Sequence, residues 1–85
     1  MTFEEFQATG RDVPDLSALP LIAAQGIEPG QAGRVYAGDL FIETLKLDGA
    51  PTEYQLTIGS DSRISADLSS LEGFLYRFAK LQGYL

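Results

Sequence analysis

The chain has 85 residues, 45% of them hydrophobic and 21% charged, with five phenylalanines, four tyrosines and a formal net charge of −6. That length suits one domain around one core, and the hydrophobic and aromatic content excludes intrinsic disorder. The absence of both cysteine and histidine excludes disulfides, thiol nucleophiles, Ser-His-acid triads and Cys/His zinc sites.

A core of this size leaves a thin margin over the conformational entropy lost on folding. With disulfides and structural zinc removed, a partner subunit is the remaining source of extra stability, and a homodimer is the expectation. Missing cysteine fits a reducing compartment, and the acidic opening Met1-Thr2-Phe3-Glu4-Glu5 is unlike a secretory leader. A cytoplasmic protein is expected. The longest apolar run falls far short of the roughly 20 residues that span a bilayer, so no membrane partner is expected. The six basic residues Arg11, Arg34, Lys46, Arg63, Arg77 and Lys80 are scattered along the chain without a cluster. Nucleic-acid affinity depends on such cations neutralising phosphates, so no nucleic acid is expected, and the acidity reads as solubility.

In chain order, Thr2-Phe3-Glu4-Glu5 fits a capping box, which predicts a helix over 3–9 with Phe3 and Phe6 on one face and Gly10 as its stop. Residues 11–33 hold Pro14, Pro20 and Pro29 with Gly26, Gly30 and Gly33. Asp12 is placed to cap a short helix with Pro14 in its first turn, burying Val13, Leu16 and Leu19. A further helical turn over 21–25 and an exposed loop over 27–33 complete this stretch.

From Arg34 the pattern is that of strands. Gly38-Asp39 between two β-rich runs suits a two-residue hairpin turn. That register sets Ala37 opposite Leu40, Tyr36 opposite Phe41, Val35 opposite Ile42 and Arg34 opposite Glu43. It places Val35, Ala37, Leu40 and Ile42 on a core face, and Arg34, Tyr36, Phe41 and Glu43 on an outer one. Residues 46–53, with Asp48-Gly49 and Pro51, read as a loop. Tyr54-Gln55-Leu56-Thr57-Ile58 alternates as a strand with Tyr54, Leu56 and Ile58 inward. A turn at 59–62 and a brief fourth strand over 63–65 follow.

The last segment is a helix over 69–82, with Ser69 or Asp67 as its cap and Gly83 as its end. Leu71, Leu75, Phe78 and Gln82 form its inner ridge, widened by Phe74 and Leu81. Gly73 suggests close approach to the sheet. The expected fold is a single α+β domain over residues 1–85, in which three or four antiparallel strands pack against this helix and a short N-terminal one.

Chemistry is sparsely supplied. Gly26, Gly30 and Gly33 do not have dinucleotide spacing, and neither lysine follows a glycine as a phosphate loop requires. The Asp and Ser residues of 59–67 lack calcium-loop spacing and suit turns and caps instead. Each carboxylate has a local use, Glu43 as the counter-ion of Arg34 among them. No catalytic residue, metal or cofactor is expected, and the chain is not read as an enzyme. The remaining candidate is a surface. Tyr36 and Phe41, flanked by Arg34 and Glu43, have the aromatic-and-arginine composition of interface centres, unless residues 16–22 cover them. The function expected is a small acidic, non-catalytic protein-interaction or accessory domain. The alternatives are a nucleic-acid mimic that inhibits a basic protein, and a carboxylate-based, metal-dependent enzyme.

Overall fold

Thr2 and Glu5 form the capping box their spacing predicts. The Thr2 hydroxyl accepts from the Glu5 amide at 3.1 Å, and the Glu5 carboxylate accepts from the Thr2 amide at 2.8 Å. They open helix α1, Phe3–Ala8, in a computed structural model that describes residues 1–18, 25 and 30–85. Strands β1 (Arg11–Val13), β2 (Gly33–Tyr36), β3 (Leu40–Leu45), β4 (Glu53–Ile58) and β5 (Asp61–Ser65) follow, then helix α2, Leu68–Gln82. The strands form one antiparallel meander in sequence order, β1-β2-β3-β4-β5. The fold is α+β as expected, with five strands among the described residues rather than three or four.

The extra strand is β1. Asp12 does not cap a helix; it lies in β1 opposite Arg34. The cap belongs to Asp15, whose carboxylate accepts from the amide and hydroxyl of Ser17 at 3.0 and 2.6 Å to start a 3-10 turn over Leu16–Ala18. Val13 and Leu16 are buried as expected. Leu19, residues 21–24 of the expected turn and residues 27–29 of the expected loop lie outside the described residues, and Gly33 at the end of that loop belongs to β2.

The hairpin between β2 and β3 corrects the expected register by one residue. Tyr36 pairs with Leu40, Val35 with Phe41, Arg34 with Ile42 and Gly33 with Glu43. The connection is three residues, Ala37–Asp39, in which Gly38 and Asp39 both have positive φ, 79° and 58°. A two-residue turn needs only its own pair of positions; Asp39, able to enter the left-handed region, lengthens the loop instead. Because strand side chains alternate, a one-residue slip moves a side chain to the other face. The two-residue connection led by a glycine occurs between β4 and β5, where Gly59 (φ 59°) and Ser60 link the paired Ile58 and Asp61.

The two faces bury separate clusters. On one, α1 and α2 cover Tyr36, Leu40, Ile42 and Leu56 with Phe6, Leu71, Leu75 and Ala79; Tyr54 and Ile58 join them, inward as expected. On the other, Val13 and Leu16 cover Val35 and Phe41. Close approach explains Gly33, where a Cβ would collide with the Ile42 carbonyl oxygen and stand 2.9 Å from Leu16 Cδ1. Helix α2 is capped by Asp67, which accepts from the Ser70 amide at 3.3 Å, and ends at Gly83 with φ 78°. Its buried ridge is Leu71, Leu75 and Ala79, with Phe74 and Phe78 at the flank and Leu81 84% exposed. Gly73 does not mark a close approach to the sheet: the nearest atom to a Cβ there is Arg77 Nη1 at 4.0 Å.

Candidate functional site

The four residues singled out as a surface do not share one. Tyr36 and Phe41 are 3% and 2% exposed and lie in different clusters on opposite faces of the sheet. Arg34 pairs with Asp12 at 2.9 Å, not with Glu43. Glu43 instead accepts from the Gly30 amide at 2.8 Å. The one-residue change of register separates them, since it exchanges which of each cross-strand pair faces α2.

Tyr36 anchors a buried polar junction between the sheet and both helices. Its ring stacks on Phe6 at 5.0 Å and 12°. Its hydroxyl donates to Glu72 Oε2 at 2.6 Å, while Glu72 Oε1 accepts from Gln7 Nε2 at 3.0 Å. Glu72, past the first turn of α2, is 5% exposed and serves as the acceptor for both α1 and β2. Burial, together with the hydrogen bond and negative charge of Glu72, pushes the Tyr36 hydroxyl well above the ordinary tyrosine range. The Thr9 hydroxyl, accepting from the Ala37 amide at 3.0 Å, ties the end of α1 to the hairpin turn. Tyr36, Glu72 and Gln7 are all hydrogen-bonded, with Tyr36 and Glu72 buried, so the junction acts as a structural lock.

A second junction lies where β3 and β4 part. Their pairing runs from Leu45↔Glu53 to Glu43↔Gln55 and stops, although the same register would set Phe41 opposite Thr57. The Gln25 carboxamide stands there. Its oxygen accepts from the Phe41 amide at 2.8 Å, and its nitrogen donates to the carbonyls of Thr57 at 2.8 Å and Phe41 at 3.1 Å. One side chain thus replaces the missing rungs of the ladder, as buried backbone groups require.

The longer exposed edge of the sheet is β5. Of the two outer strands, β1 has three residues and is followed at once by Pro14, both devices that blunt an edge. By contrast β5 has five, no proline, and exposure at every residue from Asp61 to Ile64. Because Ile58 and Asp61 close a two-residue turn, Asp61, Arg63 and Ser65 direct their backbone groups toward β4. The amides and carbonyls of Ser62 and Ile64 therefore point away from the sheet.

Beside that edge runs a groove of about 290 Å³ between β4, β5 and α2. Leu56, Ile58, Phe74, Phe78 and Leu81 give it an apolar floor and wall, with Asp61, Arg63 and Arg77 at its rim. The sheet side of this lining follows from pairing, since Arg63 faces Leu56 and Asp61 faces Ile58 across the ladder. On the helix side, residues 74, 77, 78 and 81 have the i, i+3, i+4, i+7 spacing of one stripe, beside the buried ridge. Both rim guanidinium groups lie over the Phe74 ring, Arg63 at 4.0 Å and Arg77 at 4.7 Å from its centroid. Among the described residues neither has a carboxylate partner, the one ion pair being Arg34 with Asp12.

Two of the six basic residues, Arg63 and Arg77, well separated in sequence, therefore lie beside one ring here. The signal available in the sequence was the Gly59-Ser60 turn. Assigned as a two-residue hairpin, it puts Arg63 on the face of Leu56 and next to the 74–77–78–81 stripe. Among the described residues no three carboxylates gather into a metal-holding group, and no helix is long and apolar enough to cross a membrane. No protein family, curated protein or solved structure matches the chain.

Proposed function

We propose that the protein is a non-catalytic interaction domain that receives an extended segment of a partner protein along the β5 edge. The observation that carries this reading is a five-residue strand exposed at the sheet edge and bordered by an apolar groove. Strand addition uses both features: the outward groups of Ser62 and Ile64 supply main-chain hydrogen bonds, and the groove receives alternate side chains of the incoming strand. The remainder of the fold supports it by rigidity, since α2 is fixed to the sheet by Leu71, Leu75 and Ala79 and cannot follow an incoming chain.

A second copy is the weaker occupant for this edge. Full-length antiparallel pairing of β5 with itself sets Arg63 opposite Arg63, a like-charge pair that opposes association. A different chain avoids that cost.

Selection from a displayed library of random peptides tests the reading. Enriched peptides are expected to shift the amide resonances of β5 and to lose binding to Ile64→Pro, which removes an amide that points away from the sheet and leaves the β4 ladder intact. Peptides that bind Ile64→Pro as well as the wild type would sink it. So would a wild type that forms a dimer through β5 and takes no peptide.

A further inference from the structure

We infer that the incoming segment is an acidic one, with a carboxylate side chain held by Arg63 and Arg77 and a large apolar side chain two positions away in the groove; this rests on the strand-addition reading above.

The chain carries a net charge of −6, so two cations beside one ring contrast with the rest of the molecule. Both guanidinium groups are close to the same Phe74 ring, at 4.0 and 4.7 Å. Two like charges brought together in this way repel each other, and the ring quadrupole offsets only part of that cost. Among the described residues no carboxylate lies within ion-pair distance of either. An anion from outside relieves the repulsion and completes the guanidinium hydrogen bonds, each of about 2.7–2.9 Å for a charge-assisted contact. Arginine is suited to this because its planar donor fork matches a carboxylate.

The spacing follows from strand geometry. Side chains of an added strand alternate between faces, so residues two apart both point to the α2 side. Arg63 lies in the middle of β5, and Asp61 two residues away lies beside Ile58. A carboxylate on the incoming strand therefore belongs beside Arg63 and Arg77. An acidic residue at the Asp61 end meets repulsion, and the residue there is apolar, packing on Ile58, Phe78 and Leu81. Such packing gives Leu81, now 84% exposed, a partner. A groove of about 290 Å³ lies just below the range of ligand-sized cavities, which begin at roughly 300 Å³, and suits one large side chain better than a bulky metabolite.

The test is a titration with three blocked synthetic peptides followed by fluorescence anisotropy. The first is Thr-Glu-Thr-Leu-Thr-Val; the second has Gln in place of Glu; the third has Glu and Leu adjacent. The proteins are the wild type, Ile64→Pro and the double variant Arg63→Gln with Arg77→Gln, each checked for folding by circular dichroism. The first peptide is expected to bind the wild type about tenfold more tightly than either of the others, the equivalent of about 1.4 kcal/mol. That preference for Glu over Gln should vanish in the double arginine variant and shrink as salt rises. Equal binding of the Glu and Gln peptides, both lost in Ile64→Pro, overturns the acidic preference while leaving strand addition standing. Binding that survives Ile64→Pro but needs the arginines overturns strand addition. A decanoate titration closes the remaining route: if decanoate displaces the first peptide and binds Ile64→Pro unchanged, the groove is a site for small amphipathic acids and the peptide inference fails.

Discussion

Replacing Tyr36 with Phe removes one oxygen atom from the junction between the sheet and both helices, and the structure sets the size of the loss. The phenol donates to the Glu72 carboxylate at 2.6 Å in a buried setting, the length of a charge-assisted O–H···O bond. Phe keeps the ring that stacks on Phe6 at 5.0 Å, so little apolar contact is lost. What remains is a buried carboxylate with Gln7 as its other donor. A hydrogen bond to a charged group contributes roughly 1.5–3 kcal/mol, so Tyr36→Phe is expected to cost about 2 kcal/mol. For a domain of this size that corresponds to a melting temperature lower by roughly 8–16 °C. Urea denaturation reads it as a lower midpoint with an unchanged slope. In a Glu72→Leu background the same substitution should cost almost nothing, because the hydroxyl has already lost its acceptor. A Tyr36→Phe protein as stable as the wild type, or an equal cost in both backgrounds, refutes the lock.

The remaining predictions follow from the same geometry. Since the Tyr36 hydroxyl titrates above its ordinary value of about 10 when folded, its contribution is fully present below pH 10 and is lost as pH rises toward the folded value. Stability should fall by up to about 1.4 kcal/mol per pH unit over that alkaline window, and Tyr36→Phe should remove this component in urea titrations at stepped pH. Gln25→Leu leaves the Phe41 amide and carbonyl and the Thr57 carbonyl without this partner. It should cost about 3 kcal/mol or more at roughly 1–3 per unsatisfied buried group, and the Phe41 amide should exchange with solvent faster by NMR. Gly33→Ala drives a methyl toward the Ile42 carbonyl and Leu16, with an expected loss of about 1–3 kcal/mol or more by thermal unfolding.

The parts of this fold that were legible in the sequence are those fixed by local chemistry. Thr2 with Glu5, Asp67 before α2 and Gly83 after it are caps whose partners lie three or four residues away, so spacing alone finds them. The alternation of Tyr54, Leu56 and Ile58 likewise survives because one face of β4 is buried. Register is different, because it depends on where a turn closes. Gly38-Asp39 fits a two-residue or a three-residue hairpin equally well by composition, and Asp39 entering the left-handed region decides between them. That single residue moves Tyr36 under α1 and α2 and leaves Phe41 under Leu16. The role of Glu72 was hidden for a related reason: its partners Tyr36 and Gln7 are far away in sequence. Gln25 plugs a fork that no local pattern announces. The Arg63–Phe74–Arg77 group arises only when β5 and the outer stripe of α2 are placed side by side.

Strand addition requires the edge groups of β5 to be open in the free protein and closed in the complex, and hydrogen exchange of individual amides measures this directly. In the free protein the Arg63 amide, directed to β4, should be protected, whereas those of Ser62 and Ile64 should exchange at nearly the rate of an unstructured chain. With the Thr-Glu-Thr-Leu-Thr-Val peptide at saturation, Ser62 and Ile64 should slow by about tenfold or more, since exchange then requires the peptide to leave. Protection of both amides before any peptide is added, or no change in either at saturation, would contradict strand addition at β5.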